Sequence, residues 1–248
     1  MFKEVKSLFS FLTILTPTMD KDCFINAAKA MFLFPLVGAF IGLLAGLFGW
    51  VTSQFLPSLV VGALVLGFML LITGLHHTDG LLDFGDGVMA HGSPERKIEI
   101  MHDQMTGAGG LSLGIMTFLI TAFSLAELDT GIMIQGLVVV EVSAKLSMVI
   151  GAWAGKVVHE GMASPFIEAM QGKKGNARLV ASLAISLGVA VPLLWLAGVV
   201  VVLVAVITSL IMVGISHRHF KGVTGDVLGA TNELTRMVSL IMLLVVIV

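Results

Sequence analysis

The sequence predicts an all-α, polytopic integral membrane protein: one membrane-embedded domain over residues 1–248, with about seven transmembrane helices. Composition gives the first reason. Of 248 residues, 57% are hydrophobic and 12% charged, against about 25% charged in an average soluble domain. Mean hydropathy of +1.03 gives the second. The third is a series of apolar runs near twenty residues, the length that crosses a hydrocarbon core of about 30 Å at about 1.5 Å per residue.

Residues 1–30 read as an N-terminal interfacial segment. Lys3 and Lys6 share one helical face, while Phe2, Val5, Phe9 and Leu12 recur on another, the pattern of an amphipathic helix lying in the membrane interface. The basic start and apolar centre (Leu8 to Leu15) imitate a signal peptide, but Asp20, Lys21 and Asp22 follow in place of a small-residue cleavage site. Spans are expected near 31–52, 57–77, 109–127, 131–153, 179–196, 199–216 and 231–248. Leu179 to Ser216 is too long for one crossing, so two are expected, joined at Ala197-Gly198. Gly38, Gly42 and Gly46 recur every fourth residue, a pattern for close helix packing and not for a nucleotide loop.

Basic residues set the orientation. Lys3, Lys6, Lys21 and Lys29 precede the first span; Arg96 and Lys97 lie between the second and third; Lys156, Lys173, Lys174 and Arg178 between the fourth and fifth; Arg218 and Lys221 between the sixth and seventh. The intervening loops have none, so the positive-inside rule predicts a multi-pass cell-membrane protein with a cytoplasmic N-terminus and an external C-terminus. A net charge of −2 without a basic run gives no footprint for nucleic acid. The single cysteine, Cys23, excludes a disulfide framework and reads as a packing residue. A homo-oligomer is compatible with the sequence.

Chemistry concentrates in two expected cytoplasmic active-site segments, 78–108 and 217–233. In the first, Asp79, Asp83 and Asp86 are spaced to share one helical face. Like charges at a low-dielectric boundary need a counter-ion. An all-oxygen set suits Mg²⁺, with Mn²⁺ as the alternative, and Mg²⁺ commonly bridges to substrate phosphate. His76 and His77 lie alongside, and Gly80, Gly85 and Gly87 leave room for a ligand near the backbone. Ser93-Pro94 reads as a helix start continuing to about Asp103. Gly107, Gly109 and Gly110 then offer backbone N–H groups to phosphate oxygens, or simply a flexible return to the membrane.

The second segment, Gly222 to Glu233, holds Thr224, Gly225, Asp226 and Glu233 as candidates. His217, Arg218, His219 and Lys221 precede it, either as a diphosphate cradle or as orienting charge. Glu141 and Lys145, four apart inside the fourth span, read either as an ion pair or as an anchor whose lysine meets substrate phosphate. His91, His102 and His159 lack ligand spacing and read as ordinary polar residues.

The chain resembles the cobalamin synthase family, adenosylcobinamide-GDP ribazoletransferases, over nearly its whole length. The matching residues are Ser10-Phe-Leu-Thr13, the H-x-x-D-G-x-x-D-x-x-D-G run from His76 to Gly87, Glu99-Ile-Met101 with Asp103 and Gly107, and Thr224-Gly-Asp-Val-Leu-Gly-Ala230. Gln104-Met-Thr106 stands where the family usually has a basic residue, and Leu75-His76-His77 where it commonly has one histidine and a second glycine. The resemblance implies a Mg²⁺-dependent cobamide-assembly step in which α-ribazole or its 5′-phosphate displaces GMP from adenosylcobinamide-GDP. It further implies metal binding by Asp79, Asp83 and Asp86, with Asp103 and Asp226 as further ligands or base. His76 would orient or deprotonate the acceptor hydroxyl, and Lys145, Gly107, Thr224, Gly225 and Glu233 would contact substrate.

Two rival readings fit less well. A CDP-alcohol phosphotransferase should open D-G-x-x-A-R, whereas Asp79-Gly80 is followed by Leu81-Leu82-Asp83-Phe84. A transporter should carry its ionisable residues near the bilayer midplane, where only Glu141 and Lys145 are expected.

Overall fold

The computed structural model describes residues 2–16, 21–158 and 161–247; His159 and Asp20 lie outside them. Two short amphipathic helices open the chain, α1 (Phe2–Leu12) and α2 (Lys21–Lys29). Leu8 and Leu12 of α1 are buried while Lys3 and Lys6 face outward. In α2, Asp22 sits in the first turn and Lys29 in the last, each sign complementing the helix dipole.

A 3₁₀ turn at Met31–Leu33 leads into α3 (Phe34–Ser53). The glycine stripe does what its spacing predicts. A Cβ on Gly38 or Gly42 would collide with the backbone oxygens of Glu141 and Leu137, and one on Gly46 would lie 2.7 Å from Ile134 Cα. All three partners belong to α8 (Met133–Ala154), the most deeply buried helix of the bundle.

The second expected span ends early. Helix α4 (Ser58–Ile72) stops five residues short of 77, and α5 (His76–Met89) departs from it at 97°. Thr73-Gly74 is the cause. Gly74 N–H donates to Leu71 O and Leu75 N–H to Leu70 O, with Gly74 and Leu75 both in the left-handed region, a helix-terminating bond pair that closes α4 and redirects the chain. The Asp79–Asp86 segment, expected in a loop, is therefore a helix. It lies across one end of the bundle and, at 14 residues, is too short to cross a membrane by itself.

Helix α6 (Pro94–Met101) starts as expected, with Arg96 N–H donating to the Ser93 hydroxyl, and ends two residues before Asp103. After α7 (Ala108–Ala126), α8 and the short α9 (Ser164–Ala169) comes α10 (Gly172–Phe220), 49 residues interrupted at Trp195, whose φ is 50°. The Gly198 backbone packs against Ala190, which an unbroken helix would hold about 12 Å away. The two arms thus fold back on each other, as expected for residues 179–216. Their break falls at Trp195, three residues after Pro192, and not at Ala197-Gly198.

The chain closes with α11 (Gly225–Ile247). Five helices are long and apolar enough to cross a membrane, or six when α4 and its bent continuation count as one. Among the described residues there is no strand, only an isolated bridge between Val157 and Val223. The result is an all-α membrane bundle.

Candidate active site

Helix α5, the start of α11 and the turn into α7 meet at one end of the bundle. Asp79, Asp83 and Asp86 share a face of α5, as their spacing predicts. The glycines between them serve another purpose than the one expected. A Cβ on Gly80 would lie 2.9 Å from Asp226 Cα, and one on Gly85 2.8 Å from Gly110 Cα. Backbone meets backbone at both crossings, so these glycines admit neighbouring helices rather than a ligand, and the Gly80 crossing sets Asp226 beside the α5 aspartates.

Asp83 occupies the centre of the group. Partial burial, then the negative charges of Asp79, Asp226 and Asp86, push its carboxyl up to about 7. Asp86 is committed elsewhere: its oxygens accept N–H bonds from Gly107 at 2.7 Å and Gly110 at 2.8 Å, fastening the first turn of α7. The Gly107 N–H expected to meet substrate phosphate is therefore occupied by a carboxylate of the same chain. Asp103 is exposed and accepts from Met105 N–H at 3.1 Å.

Among the described residues, no three or more His, Cys, Asp or Glu side chains are close enough to hold one metal ion. The expected four-ligand set of Asp79, Asp83, Asp86 and Asp103 is thus not brought together. The donor chemistry still suits a hard cation, because Mg²⁺ commonly takes one or two carboxylates and completes its shell with water and substrate phosphate. The like charges that raise Asp83 are the charges such an ion neutralises.

Thr224 caps α11, its hydroxyl accepting from Val227 N–H at 3.3 Å and lying 3.4 Å from Asp226 Oδ2. It is largely buried and lines the smaller of two cavities. Gly225 and Asp226 separate two cavities, one of about 270 Å³ and one of about 120 Å³, and line both. Exposed His76, buried His77 and Asp79 also line the larger. His102, expected to be an ordinary polar residue, lines the smaller and lies near enough to Asp226 to act on its charge. Its spacing gave no sign of this, because the contact joins residues far apart in the chain. His219 Nδ1 stands 2.9 Å from Lys97 Nζ, tying the expected basic cradle to α6.

Two expected substrate contacts lie elsewhere. Lys145 and Glu233 are buried in a closed network with Glu141 and Arg236. Arg236 bonds both Glu141 and Glu233. Lys145 Nζ donates to Asn232 Oδ1 at 2.7 Å and pairs with Glu141 at 3.6 Å, while Asn232 Nδ2 donates to Glu233 Oε1 at 3.0 Å. The ion-pair alternative for Glu141 and Lys145 holds, enlarged by Glu233, expected instead at the substrate, and by Asn232 and Arg236, which sequence reasoning did not single out. The spacing of Glu233 and Arg236, three apart on one helix, was the available signal.

Nearly the whole chain, site residues included, falls within the match to known proteins. A family model described as cobalamin-5-phosphate synthase matches residues 4–244. The chain belongs to that family. Curated relatives named adenosylcobinamide-GDP ribazoletransferase include one from Methanococcoides burtonii, 32% identical over 98% of this chain and 92% of its own length. One from Methanocella arvoryzae is 34% identical over 95% and 93%, and one from Thermococcus kodakarensis 32% identical over 96% and 97%. No solved structure matches. This cobalamin-5-phosphate synthase family member is accordingly a transferase of cobamide biosynthesis with a multi-pass membrane body.

Proposed function

We propose that the protein joins adenosylcobinamide-GDP to α-ribazole or its 5′-phosphate and releases GMP, at an active site on the cytoplasmic face of a seven-crossing bundle. One observation carries this reading: Asp79, Asp83, Asp86 and Asp226 crowd one end of the bundle beside a cavity, and burial with their mutual repulsion, eased at Asp226 by His102, raises Asp83. Phosphoryl transfer needs charge neutralisation and alignment and no protein nucleophile, which suits a site built of carboxylates. Seven crossings follow when α4 and each arm of α10 are counted. The basic ends of the loops then fall on the active-site side.

Asp79 and Asp83 would hold Mg²⁺, or Mn²⁺ in its place, with Asp226 facing them from α11. Bound there, the ion supplies the positive charge that lets a diphosphate approach the carboxylates. The acceptor hydroxyl oxygen forms a bond to the phosphorus on the cobinamide side. The bridging P–O bond breaks, and GMP leaves with its electron pair. Asp226, placed between the two cavities, receives the hydroxyl proton, and His76, exposed at the rim, orients the acceptor. Asp86 holds the α7 turn against α5 and keeps the Asp-bearing face in place.

Purified full-length protein in lipid nanodiscs, given adenosylcobinamide-GDP, Mg²⁺ and α-ribazole or its 5′-phosphate, should release GMP only when the acceptor is present. Chelation should stop the reaction and Mg²⁺ restore it. GMP appearing equally fast without acceptor, or no GMP with either acceptor, would reject the assignment.

A further inference from the structure

The two helices that open the chain face each other across a groove that shares no residue with the cavities at the carboxylates. On α1, Lys3, Lys6, Ser7 and Ser10 stand at i, i+3, i+4 and i+7; on α2, Asp22, Asn26 and Lys29 stand at i, i+4 and i+7. Each helix thus turns one polar stripe toward the other. The remaining faces are apolar, and Leu8, Leu12, Ala27 and Ala28 are buried against the bundle. Beneath the stripes Phe11 and Phe24 meet edge to face at 5.8 Å, and Ile14 N–H donates to Ile72 O at 2.9 Å, tying the end of α1 to the end of α4. The groove, open and of about 600 Å³, is therefore held in shape by the protein itself.

Its charge is not closed. Lys3, Lys6 and Lys29 line it against one carboxylate, Asp22. All three lysines are exposed, and among the described residues none of them is in an ion pair. The serines add no donors, since the Ser7 hydroxyl donates to Lys3 O and the Ser10 hydroxyl to Thr16 Oγ1, both at 2.9 Å. Three ammonium groups around one space attract an anion, and lysine binds phosphate well as a point charge on a flexible stem. The rim of the groove decides among phosphates. Ile25 lines it and is exposed, as is Val5 beside Lys6, so a cationic floor meets an apolar edge. A soluble phosphate gains nothing from that edge. A lipid headgroup does, because its acyl chains begin where its phosphate ends, and amphipathic helices of this kind lie at that depth.

We propose that the groove between α1 and α2 binds the phosphodiester of an anionic phospholipid, with Lys3, Lys6 and Lys29 supplying the counter-charge and Val5 and Ile25 meeting the first carbons of its chains. The site is separate from the chemistry, and the proposal stands or falls independently of the function proposed above, because binding is read without either substrate.

Cys23, the only cysteine of the chain, lines the groove and can report its occupancy. In a neutral detergent, dihexanoyl phosphatidylglycerol should slow alkylation of Cys23 by N-ethylmaleimide at a concentration at least about tenfold below that needed with dihexanoyl phosphatidylcholine, since each lysine near an anionic lipid contributes about fivefold in affinity. Lys29→Gln should raise the half-protecting concentration about fivefold. Lys3→Gln, Lys6→Gln and Lys29→Gln together should abolish the preference, whereas arginine at the same three positions should keep it. Lys173→Gln with Lys174→Gln removes exposed basic charge from the same side of the membrane without touching the groove, and should leave the preference intact. Native mass spectra of the full-length protein taken from bilayers with equal amounts of the two lipids give a readout free of the thiol: the wild type should retain a phosphatidylglycerol that the triple glutamine variant lacks. Equal protection by the two lipids, a preference that survives the triple glutamine variant, or one lost in the Lys173–Lys174 variant would overturn the proposal. So would GDP or inorganic phosphate protecting Cys23 at or below the lipid's concentration, which would give the groove to a soluble phosphate ligand.

Discussion

Helix α11 carries part of two charge clusters about two turns apart, and they are built on opposite terms. In the inner one, Glu141 and Glu233 meet Arg236 and Lys145, each charge touching an opposite one, with Asn232 bridging Lys145 and Glu233. At the outer one, Asp79, Asp83, Asp86 and Asp226 share only one sign, and Asp83 is driven up to about 7. The inner cluster is complete within the chain; in the outer, His102 reaches Asp226, and the repulsion that raises Asp83 remains for something that arrives to relieve. Spacing does not separate them, since Glu233 of the inner cluster and Asp226 of the outer stand seven residues apart on the same helix. Closure of the charge does: a cluster whose charges cancel is part of the fold, and one whose charges do not is a place to bind. The transporter reading weakens for the same reason. Four deep ionisable residues are present rather than two, but they neutralise each other.

Removing the shared cation of the inner cluster should give the largest effect. Arg236→Met leaves Glu141 and Glu233 buried without their guanidinium, and breaking such a pair costs about 3–5 kcal/mol. Thermal unfolding in detergent should show a strongly lowered Tm, while kcat per folded molecule stays near wild type. Because the penalty comes from the carboxylate left without a cation, adding Glu233→Gln, which leaves Glu141 paired with Lys145, should recover much of the loss. A variant that keeps its Tm but loses turnover would place the inner cluster in the chemistry and erase the contrast.

At the outer cluster the expectation reverses. Asp83→Asn removes a charge that its neighbours disfavour, so Tm should hold or rise, whereas kcat should fall by about 10²–10³, the scale for losing one preorganised electrostatic partner. The wild-type pH profile sharpens this. A carboxyl at about 7 is protonated below that pH and must release its proton to bind a cation, so Mg²⁺ affinity should fall by up to about tenfold per unit as pH drops below 7. Raising Mg²⁺ should shift the midpoint downward. Asp83→Asn should abolish that dependence, and a profile identical in the variant would assign the titration to another group.

Much of this was legible in the residues, for identifiable reasons. Composition and apolar run length follow from the solvent a chain must face, so the membrane bundle was readable at once. The spacing of Gly38, Gly42 and Gly46 is a local pattern with one main physical use, and α8 fills it. Asp79, Asp83 and Asp86 could be put on one face because helical periodicity is local too. What escaped were contacts between distant segments. Arg236 looked like a stray charge in a span until Glu141, nearly a hundred positions earlier, came to meet it. Phe11, Phe34 and Phe166 are ordinary apolar residues in sequence and become one packed cluster only when three helices assemble. Gly80 and Gly85 were visible, but their neighbours, Asp226 and Gly110, were not. The helix end at Thr73-Gly74 was also written in the chain, and was hidden by the apolar run that continues through Leu75.

Asp86 tests the boundary between the two kinds of cluster, because it belongs to the like-charged group yet has both oxygens engaged within the chain. Asparagine at this position keeps one acceptor oxygen and presents an amide to the other N–H, so one capping bond is lost. Helix-cap losses cost about 0.5–2 kcal/mol, and Asp86→Asn should therefore lower Tm modestly and reduce kcat less than about tenfold, through a looser α7 start. The Mg²⁺ dependence should be unchanged, since the residue fastens a helix in this arrangement. If Asp86→Asn instead matches the Asp83→Asn loss and raises the Mg²⁺ concentration needed for half-maximal rate, the Gly107–Gly110 turn releases this carboxylate to the ion during turnover. The outer cluster would then assemble its ligands only when substrate is bound, which would explain why no three of its side chains stand close enough to share an ion in the arrangement described.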